Sequence, residues 1–410
     1  MAVATYPVSI IGSSTGTAEL FRRGLELVDP DSPDAGWLNT RLSIALYTEE
    51  DDFVGVRQMG ERGLAIAQKH NDTRMEARAN YGIGFANILD GDFSAALKSG
   101  ETSLELAERL DDAQSAIRGL IVAWPCAVAV GDLAKAHRLA EVFETYAARD
   151  HDVLWMQVGE SHRHDGAWLA GELTAENLEG VEISGGPNSF SWHAAESGEP
   201  GVLGSFTENL ASQVKDMRPH GLLSLIARLA GMAYTIRADN LWDSIMSTTD
   251  VRGAHVDRDG RPGSVMALTP LALAAIRMRN ADAASEHFKS LECLSGIFEP
   301  WALVSYDRML GQMAAVFGNQ ELSDKHFEAA LEFADKAGYV RETVWTQMEY
   351  AEALLDRSEA DGASRASAHG FDEDRQKAIQ LQDAALATTQ ELGMGLLTER
   401  ILARRDILRA

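Results

Sequence analysis

At 410 residues the chain exceeds the usual size of one compact domain. Its 37 Lys and Arg against 62 Asp and Glu give a formal charge of −25, which repels phosphate backbones and anionic lipid heads and so argues against direct nucleic-acid or membrane binding. Two distant cysteines, Cys126 and Cys293, exclude a disulfide framework and a CxxC zinc site; they read as small buried residues of a reducing compartment, and with no apolar run of membrane-spanning length the cytoplasm is the expected location.

In chain order, residues 1–35 read as a leader and a first helix. The stretch Val8 to Thr17 has the glycines and hydroxyls of a phosphate-binding turn, but no Lys follows Gly16 and no strand-helix alternation follows, so it reads as a leader ending in a helix cap. Residues 36–177 carry a repeat. Asp52-Phe53, Asp92-Phe93, Asp132-Leu133 and Glu172-Leu173 recur at a period of about 40, and Gly91, Gly131 and Gly171 precede three of them. Such a period accommodates two helices and two turns. The pattern predicts helices over Trp37–Thr48, Phe53–His70, a segment capped by Thr73 and running to Leu89, Phe93–Leu110, Ser115–Val130 and Leu133–Arg149. Pro125 should kink or split its helix. A further helix is expected over about 153 to 170. It carries His162, His164 and Asp165, which with His151 and Asp152 form the densest group of possible metal ligands. Positions i and i+2 on a helix face about 200° apart, so the group reads as a polar helix face, and no metal is expected.

The rhythm fails over residues 178–265, where Gly180, Gly185, Gly186, Pro187, Gly198, Pro200, Gly201 and Gly204 break any long helix. Repeats resume over residues 266–410. His287-Phe288 and His326-Phe327 lie 39 positions apart, and recurrence of this kind points to packing at a seam between repeats. Ala329-Ala330-Leu331 is echoed by Ala384-Ala385-Leu386; the longer interval fits a loop inserted at 358–374. Arg400, Arg404, Arg405 and Arg409 read as a cationic helix end that complements the dipole. The expected fold is all-α: a solenoid of tetratricopeptide-like two-helix repeats with an irregular interruption near 178–265.

Two runs carry a family likeness. HFEAALEFADKAGYVRETVWTQMEYAEALLDR (326–357) and KAIQLQDAALATTQELGMGLLTERILARRDILRA (377–410) resemble the C-terminal helical-repeat region of MalT-like bacterial ATPase regulators with LuxR-type DNA-binding ends, and of related nucleotide-cyclase and ATPase fusions. The run LFRRGLELVDPDSPDAGWLNTRLSIAL (20–46) is similar to the start of that region. The resemblance implies a sensor or docking platform in signalling or transcriptional regulation. The chain has no GxxxxGK[ST] phosphate loop and no cyclase core, and is expected to be either a free-standing relative or a piece of a longer regulator.

The functional expectation is a non-enzymatic scaffold or sensor. It would bind a partner protein, a peptide or a small-molecule effector on the concave face, without a cofactor. Tyr81, Tyr306, Arg308, Tyr339, Arg341, Trp345 and Tyr350 are the expected polar and aromatic contacts, and Trp192, in the Gly-rich interruption, is the expected exposed aromatic. Trp155, Trp168, Trp242, Trp301 and Trp345 lie mostly at core spacing. No nucleophile-base arrangement stands out. The alternative is a helical-repeat enzyme or a metal- or ligand-binding protein with its site in the 178–265 interruption, using His193, His220, His255 or Asp257.

Overall fold

The computed structural model describes residues 16–50, 52–151, 153–173, 192, 196, 265–364 and 368–409. These residues are all-α apart from one two-residue hairpin, and consecutive helices pack on one another, as in a helical-repeat solenoid. They fall into two compact units. The first, through Arg163, contains α1 (Thr17–Glu26), α2 (Pro33–Glu50), α3 (Phe53–His70), α4 (Thr73–Leu89), α5 (Phe93–Arg109), α6 (Ala113–Ala129), α7 (Leu133–Asp150) and most of α8 (Val153–Leu169). The second includes His164 to Leu173, Trp192, Glu196 and everything described from Leu271 onward. Its elements are the end of α9 (Val265–Arg277), α10 (Ala281–Leu291), the antiparallel pair β1 (Phe298–Glu299) and β2 (Val304–Ser305), α11 (Tyr306–Val316), α12 (Gln320–Ala337), α13 (Val340–Ser364), α14 (Ala368–Glu391) and α15 (Gly395–Arg409).

The repeat is written into the turns. Asp52, Asp72, Asp92, Asp112 and Asp132 each accept, through the side chain, the N–H three residues on, so each caps a helix. The backbone N–H groups of Asp72, Asp92, Asp112 and Asp132 also donate to Ala67, Asn87, Ala107 and Ala127 in the preceding helix. One aspartate thus closes a helix and opens the next. The cap of α4 is Asp72, one residue before the expected Thr73, because the carboxylate of an extended residue reaches the free N–H groups. Turns entering the odd-numbered helices use Gly91 and Gly131 at φ 80°, whereas those entering the even-numbered helices use Asn71, Asp111 and His151 at φ 51–52°. Pro125 sits inside α6 and does not split it.

Within the first unit α2 packs on α4 and α4 on α6, while α3, α5 and α7 stand further from one another. The even-numbered helices therefore form the tighter, inner layer. Their crossings depend on missing side chains. A Cβ on Gly100 would lie 2.7 Å from the Ala123 nitrogen, and one on Gly119 2.7 Å from the Leu104 nitrogen, so α5 and α6 touch backbone to backbone.

In the second unit Phe327, Tyr350, Ala351, Leu354, Leu355 and Ala378 form a core between α12, α13 and α14. Helices cover 358–364 and 368–374, within the stretch expected to be a loop; 365–367 lie outside the described residues. Alanine, the best helix former, is the commonest residue of the run, and Arg357 ties it down by bonding Asp324 (3.1 Å) and, through its other nitrogens, Asp374. His326 and Phe288 meet edge-on, and His326 Nδ1 lies 2.7 Å from Asp307 Oδ1, so the recurring histidine does sit at a helix seam. Cys126 is buried, but Cys293 is exposed because it lies on the short turn after α10.

Candidate functional site

Four of the eight expected contact residues come together in the second unit. Arg308 on α11 donates from Nε to Glu342 Oε1 (2.8 Å) and from Nη1 to Glu349 Oε2 (3.0 Å). Glu342, Trp345 and Glu349 share one face of α13, being three and four residues apart. The Arg308 guanidinium lies 5.3 Å from the Trp192 ring and 5.9 Å from the Trp345 ring. Arg341 binds Glu196 and the Leu173 carbonyl and lies 5.7 Å from the Trp168 ring. Trp345 Nε1 donates to Glu196 Oε1 (3.0 Å), and Trp192 Nε1 to the Ala302 carbonyl (3.0 Å). Burial pushes the Glu196 and Glu342 carboxyls up, and the arginine beside each pulls it back.

This network is closed. Trp192, expected to be exposed, is 2% accessible, and Arg308 and Arg341 are 0%. Each guanidinium pairs with a carboxylate and lies beside a tryptophan face, so the assembly holds helices together, with Arg308 Nη2, Arg341 Nε and Glu342 Oε2 left without a hydrogen-bond partner inside it. The other expected contacts are buried too. Tyr306 heads α11, Tyr339 meets Phe298 edge-on at 5.0 Å, and Tyr350 stacks on Phe327 at 4.8 Å with its hydroxyl 2.7 Å from Lys377 Nζ. The correction has one cause. An aromatic ring at helical spacing brings more apolar area than an open groove retains, and the core takes it.

Tyr81 leads elsewhere. It lies on α4 of the first unit, is buried, and its hydroxyl has no hydrogen-bond partner. Its ring meets Phe85 edge-on at 5.1 Å. Arg78 on α4 and Arg118 on α6 lie near enough to act on it electrostatically, and Arg41 on α2 lies near those two; all three are partly buried. Arg78 Nε has no hydrogen-bond partner, and Arg118 bonds only the Gln114 carbonyl of its own helix among the described residues. Of the two acids near enough to act on Arg118, Asp150 forms no ion pair with it among the described residues, and Asp112 is already used: it caps α6, accepts from the Ser115 hydroxyl (3.0 Å) and pairs with Arg74 (2.9 Å). Burial and the positive charges of Arg118 and Arg41 lower Arg78 to about 9. Burial lowers Arg118 and Arg41 as well and raises Tyr81 to about 12. The sequence reading passed over these arginines. The signal was there, since Arg78 and Arg118 occupy equivalent positions of successive repeats, 40 residues apart.

Other candidates resolve into packing. His162 stacks on Trp124 at 3.9 Å and meets Phe143 edge-on, and His151 closes α7 with a left-handed backbone. No group of possible metal ligands occurs among the described residues. Arg400 binds both oxygens of Glu352, Arg404 pairs with Asp356 and Arg405 with Asp383, so these arginines are neutralised by carboxylates as well as placed near a helix end. A cleft of about 260 Å³ in the second unit is lined by Arg279, Asp324, Asp356 and Arg357, and its charges are paired with one another. No described helix is long and apolar enough to cross a membrane. Asp152, His193, His220, Trp242, His255 and Asp257, residues 8–15 of the leader and nearly all of 178–265 lie outside the described residues. Compared with known proteins, the chain matches no protein-family model and no curated protein.

Proposed function

We propose that this chain is a non-catalytic recognition module. It holds a partner protein, a peptide or a small ligand on helical repeats, in the cytoplasm, as a sensor or scaffold in bacterial signalling or transcriptional regulation. One observation carries the reading. The inner helices α2, α4 and α6 stack so that the same repeat positions recur side by side, and they hold polar groups that the packing leaves unsatisfied around Tyr81. A repeated face of this kind suits recognition, because each helix adds a contact without any one of them having to react. The regulatory setting comes from the likeness of 326–357 and 377–410 to MalT-like repeat regions. The acidic balance favours neither nucleic acid nor membrane as partner.

A thermal-shift panel of sugars, organic acids, nucleotides and peptides on the full chain tests the reading. Saturable stabilisation by one class, with the compound recovered unchanged by mass spectrometry, is the expected result. Chemical conversion of a bound compound would overturn it.

A further inference from the structure

Among the described residues, the best-buried arginines of the second unit follow a rule. In the second unit Arg308 and Arg341 each meet a carboxylate, and partly buried Arg357 and Arg400 do the same. Arg78 and Arg118 break the rule: neither forms an ion pair among the described residues. They are brought near each other because α4 packs on α6, and Arg41 is brought in because α2 packs on α4. Positive charges gathered in a partly dry site repel one another, and Arg78 is lowered by burial first and by Arg118 and Arg41 second. The Tyr81 hydroxyl beside them is a buried donor with nothing to donate to.

We propose that Arg78, Arg118 and Tyr81, with Arg41 alongside, bind the oxyanion group of a small ligand, a carboxylate or a phosphate. The proposal rests on the recognition reading and names the chemistry it recognises. A guanidinium presents parallel N–H groups that match two oxygens of such an anion, and two guanidiniums from successive helices can take it from two sides. Tyr81 stays protonated at neutral pH and supplies a neutral hydrogen bond to a third oxygen. An anion there would offset the repulsion among these arginines.

The test is isothermal calorimetry on the full chain with inorganic phosphate and with succinate, at ionic strength matched by chloride. Saturable binding of at least one probe is expected, and which one binds tells phosphoryl from carboxyl ligands. Arg78→Gln and Arg118→Gln should each weaken it by about tenfold or more. Tyr81→Phe, which keeps the ring and removes only the hydroxyl, should weaken it several-fold and decides the matter if an arginine variant fails to fold. Absence of saturable binding by either probe overturns the site, as does equal binding by wild type and the folded variants. An uncharged compound that binds while both anions fail would sink this site and leave the recognition reading standing. Conversion of a bound compound would sink that reading and not the anion site.

Discussion

Arg308 has no access to water, so its charge survives only through its neighbours. Glu342, Glu349 and the faces of Trp192 and Trp345 replace the hydration that burial removed. Removing one partner strands the other. Arg308→Met is therefore expected to lose about 3–5 kcal/mol by urea denaturation, far beyond the lost packing, because Glu342 and Glu349 remain buried without their cation. A loss under about 1 kcal/mol would show that the carboxylates simply take up protons at little cost. Arg78 is the counter-case: one residue type with the same sign of charge, but no ion pair among the described residues. Neither difference can be read from an isolated arginine in a sequence, because the partners lie on other helices.

At the scale of the helix, turns and crossings do different work. Asp92 offers its carboxylate to the Ala95 N–H at 2.9 Å, an exposed cap, so Asp92→Ala should cost about 1 kcal/mol. Gly119 lies where α6 meets α5, and a methyl there would sit 2.8 Å from the Gly100 carbonyl oxygen. Backbone cannot yield as a side-chain tip can. Gly119→Ala should therefore cost about 1–3 kcal/mol despite its better helix propensity. Thermal melts of both variants check the ordering; an alanine at 119 that stabilises the protein would refute the close crossing. The helices over 53–70, 93–109, 133–150 and 153–169 were legible from period and turn residues alone. The continuation of α13 and α14 through most of 358–374 was not. Composition there fits loop and helix alike, and the ion pairs of Arg357 with Asp324 and Asp374 form only once α12, α13 and α14 have packed.

Across the molecule, the two units carry opposite pH responses. His162 in the first is half-buried between Trp124 and Phe143 with its Nδ1 shielded from water, and that desolvation lowers it from 6.5 to about 3. The native ring stays neutral while the unfolded chain takes up a proton below 6.5. Its contribution is complete above 6.5 and is lost as pH falls towards 3. Glu299 in the second unit is buried and raised from 4.5 to about 8, although the Trp301 and Ala302 N–H groups oppose the shift. Its native form keeps the proton that the unfolded chain releases above 4.5. That contribution is complete below 4.5 and is lost as pH rises to about 8. His162→Phe should gain relative to wild type at about pH 5 more than at about pH 8, and Glu299→Gln should show the reverse, in urea midpoints followed by circular dichroism. Differences that do not change with pH would remove both assignments.

The chain by itself determined the helix class, the two-helix period and the places where helices turn. Those depend on neighbours a few residues away: an aspartate that caps, a glycine at positive φ, apolar residues on one face. Which aromatics and arginines face inward was decided by the tertiary structure. The same spacing that marks Tyr306, Arg308, Tyr339, Arg341, Trp345 and Tyr350 as a possible contact face also suits a core, and only the arrival of the neighbouring helices, with Trp192 and Glu196 packed among them, resolved it toward burial. The Arg78–Arg118–Tyr81 cluster was invisible for the same reason. Its charges matter because α2, α4 and α6 bring them near one another and away from water, and the strength of an electrostatic interaction depends on those two quantities.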